Sequence, residues 1–408
     1  MKKILLNSII ASSMILASCS SDDDTPVDPG TTVTAPDTYV FERDGASSVS
    51  FSGQTTRIKM AEELIDALLD NTITDADDII SMYNHQEGDA DFSDADLNAA
   101  SNQIKSKIGD GVDYFSNNAV EAAEIRQDFE DWITAQVDEV FPEWDETATA
   151  SVAGGIDEFG GTTRYVSAQG VEYNQIIGKG LIGALMLNQI INDYSSVLLL
   201  DAGTNIADND AGTLVDGKTY TLMEHYWDEA YGYLYGNEAD TAVPNFEGDA
   251  DSFLNKYLDR VDDDADFDTF EEDVYNAFKL GRAAIVAGDY DLRDEQAAII
   301  RDRLSQVIGV RAVYYLKAGQ SILETEPIDY ASAFHDISEG LGFIYSLRFT
   351  QKPDSVEPYF TKAEVDAYLD DLFRGGNSLW DAGTADKLGT IAQEIADEFE
   401  FTLDQAAN

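Results

Sequence analysis

The sequence has one cysteine, three histidines and only 25 basic residues among 408. A single thiol excludes an intrachain disulfide and a zinc–thiolate cluster, so stability must come from core packing. Set against 79 acidic residues, the basic ones leave a net charge of −54. That excludes nucleic acid as a partner, because phosphate binding needs a basic footprint and none is present. Neither His-Glu-x-x-His nor Gly-x-Ser-x-Gly occurs, so the standard zinc-peptidase and serine-hydrolase signatures are absent. What remains is ordinary: an apolar share of 44% is that of a globular chain able to bury a large core or two modest ones.

The lone cysteine explains itself by its surroundings. Lys2-Lys3 gives a positive start, Ile4 to Leu16 a short apolar stretch, and Leu16-Ala17-Ser18-Cys19 a lipobox. The stretch is too short to span a bilayer and reads as a secretory signal peptide over 1–18. Cys19 is then the expected lipidation site, and the N-terminal lipid makes the membrane a partner. Ser20 beside it points to the outer membrane, and Asp22-Asp23-Asp24 resembles surface-export signals of bacterial lipoproteins. Residues 19–36, rich in Asp, Thr, Pro and Gly, read as a flexible acidic tether.

Beyond the tether the pattern is all-α, preceded by one short β-hairpin. Thr38 to Phe41 and Ser48 to Phe51 alternate about Asp44-Gly45, the hairpin signal. Helical runs follow from Gln54, at 97–108 and at 120–140. A glycine-rich connection over 150–170 leads to the most apolar helix, 171–200. Further runs occupy 249–259, 270–287, 295–323, 330–349, 360–373 and 385–399.

Two of these helices carry one motif. His225-Tyr-Trp-Asp228-Glu229-Ala-Tyr-Gly232-Tyr-Leu-Tyr235 aligns with His335-Asp-Ile-Ser-Glu339-Gly-Leu-Gly342-Phe-Ile-Tyr345. At ~100° per residue, His, Glu and Gly share one stripe of each helix. Each motif helix also follows a long apolar one. The expectation is two tandem pseudo-repeated helical bundles, 37–245 and 246–408.

An i,i+4 His and Glu can reach one metal ion, so His225, Glu229, His335 and Glu339 are candidate ligands for iron, zinc or manganese. The competing reading is a His–Glu contact that fixes helix packing, with Gly232 and Gly342 permitting close approach. Gln175 and Lys179 share a face of the apolar helix, and a lysine there requires a carboxylate; Glu229 or Asp228 is the expected partner. With Trp227 and Asp228, these two make a candidate binding set. Asp262-x-Asp264-x-Asp266 begins like a calcium loop, but Phe267 stands where the turn needs glycine, leaving weak calcium binding at most. Gly178-Lys-Gly180-Leu-Ile-Gly183 matches a dinucleotide fingerprint but falls inside a helix.

Three stretches resemble the family known as domain of unknown function 4856: Tyr39-Val-Phe…Gly53-Gln-Thr-x-Arg57, Gly170-Val-Glu-Tyr-Asn-Gln175…Lys179-Gly-Leu-Ile-Gly-Ala184, and His225-Tyr-Trp-Asp-Glu-Ala-Tyr-Gly-Tyr233. That family looks related to imelysin-like proteins, tandem helical bundles bearing Gly-x-His-x-x-Glu; here Glu229 stands four residues after His225 rather than three. The resemblance implies a lipid-anchored outer-membrane binding module for iron or haem acquisition, with a TonB-dependent uptake system as partner. The alternatives are a metal-dependent hydrolase working through His225 and Glu229, or a structural surface scaffold.

Overall fold

Asp44 and Gly45 hold φ angles of 54° and 79°, the left-handed pair required by a two-residue hairpin turn. Around them β1 (Glu42–Arg43) pairs antiparallel with β2 (Ala46–Ser47) in the computed structural model, which describes residues 32–407. The hairpin is shorter than the alternation suggests, because its flanks are claimed elsewhere: the Tyr39 amide donates to Ala242 O. The signal peptide, Cys19 and the tether through residue 31 lie outside the described residues.

Helices dominate from there: α1 (Ser52–Ala67), α2 (Ala76–Tyr83), α3 (Ala95–Asn98) and α4 (Ala119–Ala135). The helix expected over 97–108 stops after one turn. Asn98 folds back instead, its side chain bonding both the amide and the carbonyl of Phe92, the local competition that makes Asn a poor helix-interior residue. The glycine-rich connection holds a second hairpin that the sequence reading missed, β3 (Gly154–Asp157) against β4 (Thr163–Val166).

Next comes α5 (Tyr173–Leu181), which continues as π turns at 182–187 and 190–194. The widening has a visible cause. Ser346 Oγ donates to Lys179 O at 2.7 Å and accepts from Gly183 N at 3.2 Å. A hydroxyl inserted between those two groups takes the place of the usual i→i−4 bond. As expected for so apolar a run, almost every side chain over 176–194 is buried.

The short α6 (Val197–Leu200) and α7 (Asn205–Asp210) lead to α8 (Leu222–Tyr235), opened by a Thr221–Glu224 capping box. Then follow α9 (Leu254–Asp262), α10 (Phe270–Ala287), α11 (Tyr290–Leu323), α12 (Tyr330–Ser346), α13 (Lys362–Leu372), α14 (Thr384–Phe399) and α15 (Leu403–Ala406). The chain is mostly helical, with two short hairpins.

The 34-residue α11 is the spine. It packs against α10, α12 and α14, and α12 packs in turn on α5. Helices from both sides of position 245 therefore share one hydrophobic core, and residues 33–408 pack as one unit. Both motif histidines lie on helices. Among the described residues no helix is long and apolar enough to cross a membrane.

Candidate functional site

The α8 motif is a structural knot. Asp228 is fully buried: Oδ1 accepts from Tyr39 Oη at 2.8 Å and Arg282 Nε at 3.0 Å, and Oδ2 from the Ser50 amide at 3.3 Å. Arg282, also without exposure, reaches Glu224 at 3.0 Å, and Arg43 of the hairpin forks onto the same Glu224 with two bonds of 2.9 Å. Burial alone would raise the Glu224 pKa, but Arg43 and Arg282 outweigh it and hold the carboxyl below its ordinary value. The network ties the N-terminal hairpin to α8 and α10. Trp227 is fully buried, its Nε1 donating to Phe278 O at 2.9 Å. Neither Trp227 nor Asp228 presents a free group to a ligand.

His225 and Glu229 keep 25% and 18% of their side chains exposed and stand 3.9 Å apart from Nε2 to Oε1. His225 Nδ1 bonds the carbonyl of Ser50 at 3.0 Å, and Glu229 accepts from Gln54 Nε2 at 2.9 Å. A carbonyl can only accept, so Nδ1 carries the proton. Behind the pair, a Cβ on Gly232 would lie 2.4 Å from Cβ of Phe51. The glycine lets the chain ahead of α1 sit directly on α8.

The α12 motif is different, because charge from several elements converges there. Lys179 on α5 meets Glu339 at 3.1 Å, not Glu229 or Asp228 as expected; the partner comes from α12, much further along the chain, and not from the nearer α8. Gln175 accepts from the same ammonium at 3.1 Å. His335 stands between two carboxylates, Nδ1 at 3.2 Å from Glu172 and Nε2 at 3.8 Å from Glu339. Tyr257 Oη donates to Glu339 at 3.2 Å and receives Tyr315 Oη at 3.4 Å. The approach depends on Gly342, where a Cβ would lie 2.5 Å from Cβ of Lys179 and 2.9 Å from Ile176 O.

Electrostatics follow from the geometry. Burial pulls the His335 pKa down, but the hydrogen bond and charge of Glu172, with the charge of Glu339, outweigh it and raise the pKa above the usual histidine value. Burial likewise pushes Glu339 up, while Lys179 and His335 together bring it below the ordinary carboxylate range. The cluster is thus an alternation of opposite charges, closed off by tyrosines.

Arg311 is the part that does not balance. It is 4% exposed, and its guanidinium lies over the rings of Tyr314, Tyr315 and Tyr257 at 4.0, 4.7 and 5.5 Å. Its Nε and Nη2 have no acceptor among the described residues. Lys256 sits nearby, its pKa lowered by burial and by the charges of Lys179 and Arg260. The structure therefore brings together Gln175, Lys179, His335 and Glu339 from the expected set, and leaves His225, Glu229, Trp227 and Asp228 elsewhere. Glu172, Tyr257, Tyr315 and Arg311 were missed. Glu172 shares a helical face with Gln175 and Lys179 and was within reach of the sequence; the others come from distant helices and carry no local signal.

Among the described residues, no three His, Cys, Asp or Glu side chains are placed to hold a metal ion. The two His–Glu pairs each supply two groups and do not combine. In the stretch that only begins like a calcium loop, Asp262 Oδ1 accepts the amides of Thr269 and Glu271, and Asp264 Oδ1 that of Asp266. These carboxylates serve the loop's own backbone.

The family described as Domain of unknown function (DUF4856) matches residues 36–402. The chain belongs to that family. No curated protein and no solved structure matches it.

Proposed function

We propose that this member of the 4856 family is a lipid-anchored binding module of the outer membrane, serving iron or haem acquisition beside a TonB-dependent uptake system. It holds an anionic group of its ligand at the Lys179–Arg311 cluster. The observation that carries the reading is the guanidinium of Arg311, buried against three tyrosines with two nitrogens unanswered among the described residues in a chain with 79 acidic residues. A buried unpaired cation is costly, and a carboxylate or propionate would satisfy it with charge-assisted bonds. The tyrosines add a flat apolar wall. In this reading a metal arrives inside its ligand, which agrees with protein carboxylates that pair with cations instead of converging.

The α8 pair supports the scaffold alternative for its own half, since His225 bonds backbone and Gly232 admits Phe51. A metal-dependent hydrolase at His225 and Glu229 needs a third ligand that the described residues do not offer. Calorimetric titration of residues 33–408 with haem, ferric, ferrous and zinc ions tests the proposal. Haem is expected to bind, and Arg311→Met to weaken it by about tenfold or more. Affinity no tighter than roughly millimolar, about −4 kcal/mol, for every probe rejects it. Labelled palmitate incorporated by the wild-type chain and lost in Cys19→Ser tests the anchor.

A further inference from the structure

Where α9 ends and α10 begins, Asp262 Oδ1 accepts the amides of Thr269 at 2.9 Å and Glu271 at 3.0 Å. This turns the first residues of α10 toward a cavity of about 480 Å³, whose lining includes Phe246, Asp262, Glu271, Glu272, Tyr275 and Lys279. Glu271 is 6% exposed. Its carboxylate makes no hydrogen bond or ion pair among the described residues, although hardly any other deeply buried acid here lacks a donor. Asp262, Asp259, Asp263 and Glu238 stand close enough to add their own negative charge to the site.

Such a group would not persist in an acidic protein for packing alone. A glutamine of the same shape would fit with less strain, since a buried unpaired carboxylate is among the costliest arrangements a core can hold. Lys279 does not answer it. That ammonium donates to Asp37 O at 3.2 Å and lies 4.3 Å over the ring of Tyr275, with no carboxylate of the described residues within ion-pair distance. The other wall is aromatic, Phe246 and Tyr275 meeting edge to face at 5.7 Å. A carboxylate at the base with π-faces beside it is the chemistry that recognises an ammonium group.

We propose that this cavity binds an organic ammonium ion of the di- or polyamine class, with Glu271 as its counter-ion. A metal ion fits poorly, because no three acids or histidines among the described residues are set for one and the cavity greatly exceeds an ion's volume. The field of a chain carrying −54 concentrates cations at the surface and favours their entry. Asp262 and Glu272 give a second ammonium of the same molecule its own negative partners. This site is separate from the Lys179–Arg311 cluster and stands or falls independently of it.

The test is calorimetry of residues 33–408 with 1,4-diaminobutane at about 0.15 M salt, where loose surface attraction is largely screened. One site per chain is expected. Glu271→Gln should weaken it by about tenfold or more, while Asp89→Asn, at an exposed acid far along the chain, leaves it unchanged. Because glutamine is a neutral isostere, this variant should melt no lower than wild type. Should it fail to fold, Glu271→Asp keeps the charge and is expected to retain binding within a few-fold. Equal affinity in wild type and Glu271→Gln overturns the proposal, and so does the absence of any saturable heat. Calcium binding that is as tight and equally sensitive to Glu271→Gln overturns the assignment to an amine.

Discussion

Lys179 and Glu339 meet at 3.1 Å across the α5–α12 contact, each side chain only about one-tenth exposed. The pair is held from both ends, Lys179 by Gln175 and Glu339 by Tyr257. Removing one partner strands the other in a weakly polar environment, which costs far more than the pair itself contributes. Lys179→Met is therefore expected to lower stability by about 2–3 kcal/mol in urea unfolding, below the ~3–5 kcal/mol of a fully enclosed pair because some solvent remains. Adding Glu339→Gln to it should recover most of that loss. A double variant no more stable than Lys179→Met would mean the two residues do not act as a pair.

His335 gives this contact a pH dependence. Its folded pKa is raised above the usual histidine value, with Glu172 and Glu339 outweighing burial. The imidazolium then binds its proton more tightly folded than unfolded. Its stabilisation is complete below the unfolded value of about 6.5 and fades as pH rises through the folded pKa. Unfolding free energies between about pH 5.5 and 8.5 should fall with pH by an increment that His335→Gln removes. An unchanged slope in that variant would assign the dependence to other groups.

Arg282 is the corresponding weak point of α8. It lies without exposure between Glu224 and Asp228, at 3.0 Å from each. Arg282→Met leaves Glu224 to Arg43 alone and buried Asp228 with no cation, so a loss of about 3–5 kcal/mol is expected. Arg282→Lys should recover little, because one ammonium cannot reproduce a fork spanning two acids. The hairpin should loosen with it, read as faster amide exchange at Arg43 and Ser48. Full protection there in Arg282→Met would show the hairpin to be held by packing.

What could be read beforehand follows a physical division. Helices that announce themselves by an apolar stripe were legible: the run at 270–287 is α10 residue for residue, and the run at 120–140 is α4 with the π turn that extends it. Local polar chemistry was harder, as at Asn98, whose side chain ends a helix that the stripe would continue. The β3–β4 hairpin was hidden because glycine supplies no alternation to read. At the site, the i,i+4 pairs and the need of Lys179 for a carboxylate were visible from spacing and composition. Which carboxylate was not: Glu339 becomes its neighbour only through the packing of α12 on α5. The orphaned nitrogens of Arg311 are legible only once the tyrosines around them are placed.

The shared glycines can be tested for close approach directly. In a helix Gly→Ala ordinarily gains up to about 1 kcal/mol, so the sign reports on space. A Cβ at position 232 would stand 2.4 Å from Phe51 Cβ, and one at 342 would stand 2.5 Å from Lys179 Cβ. Both neighbours are anchored near the backbone and cannot swing aside. Gly232→Ala and Gly342→Ala are each expected to cost about 1–3 kcal/mol as overpacking outweighs propensity. Gly340→Ala, whose nearest neighbours lie at 3.3 Å and include the flexible end of Leu316, should be nearly neutral. Stabilisation at 232 or 342 would remove the packing role assigned to the motif glycines.

Glu271 should work against the fold, and the pH at which it does so is defined. Burial, with Asp262 and other nearby acids, pushes its pKa up to about 8, against roughly 4.3 when the chain is unfolded. Below the lower value both states hold the proton and the residue is silent. Between the two values the unfolded chain releases its proton first, so stability falls as pH rises, and above the upper value the penalty is complete. Replacing the carboxyl by an amide removes the titration without changing the shape. Glu271→Gln is therefore expected to match wild type near pH 4, to exceed it progressively through neutrality, and to hold a constant advantage beyond about pH 8. Added diamine should narrow the gap at neutral pH by stabilising only the wild-type chain, as any ligand selective for the folded state does. Unfolding curves for the two proteins that run parallel from acid to alkaline pH would mean that Glu271 already has a partner in solution.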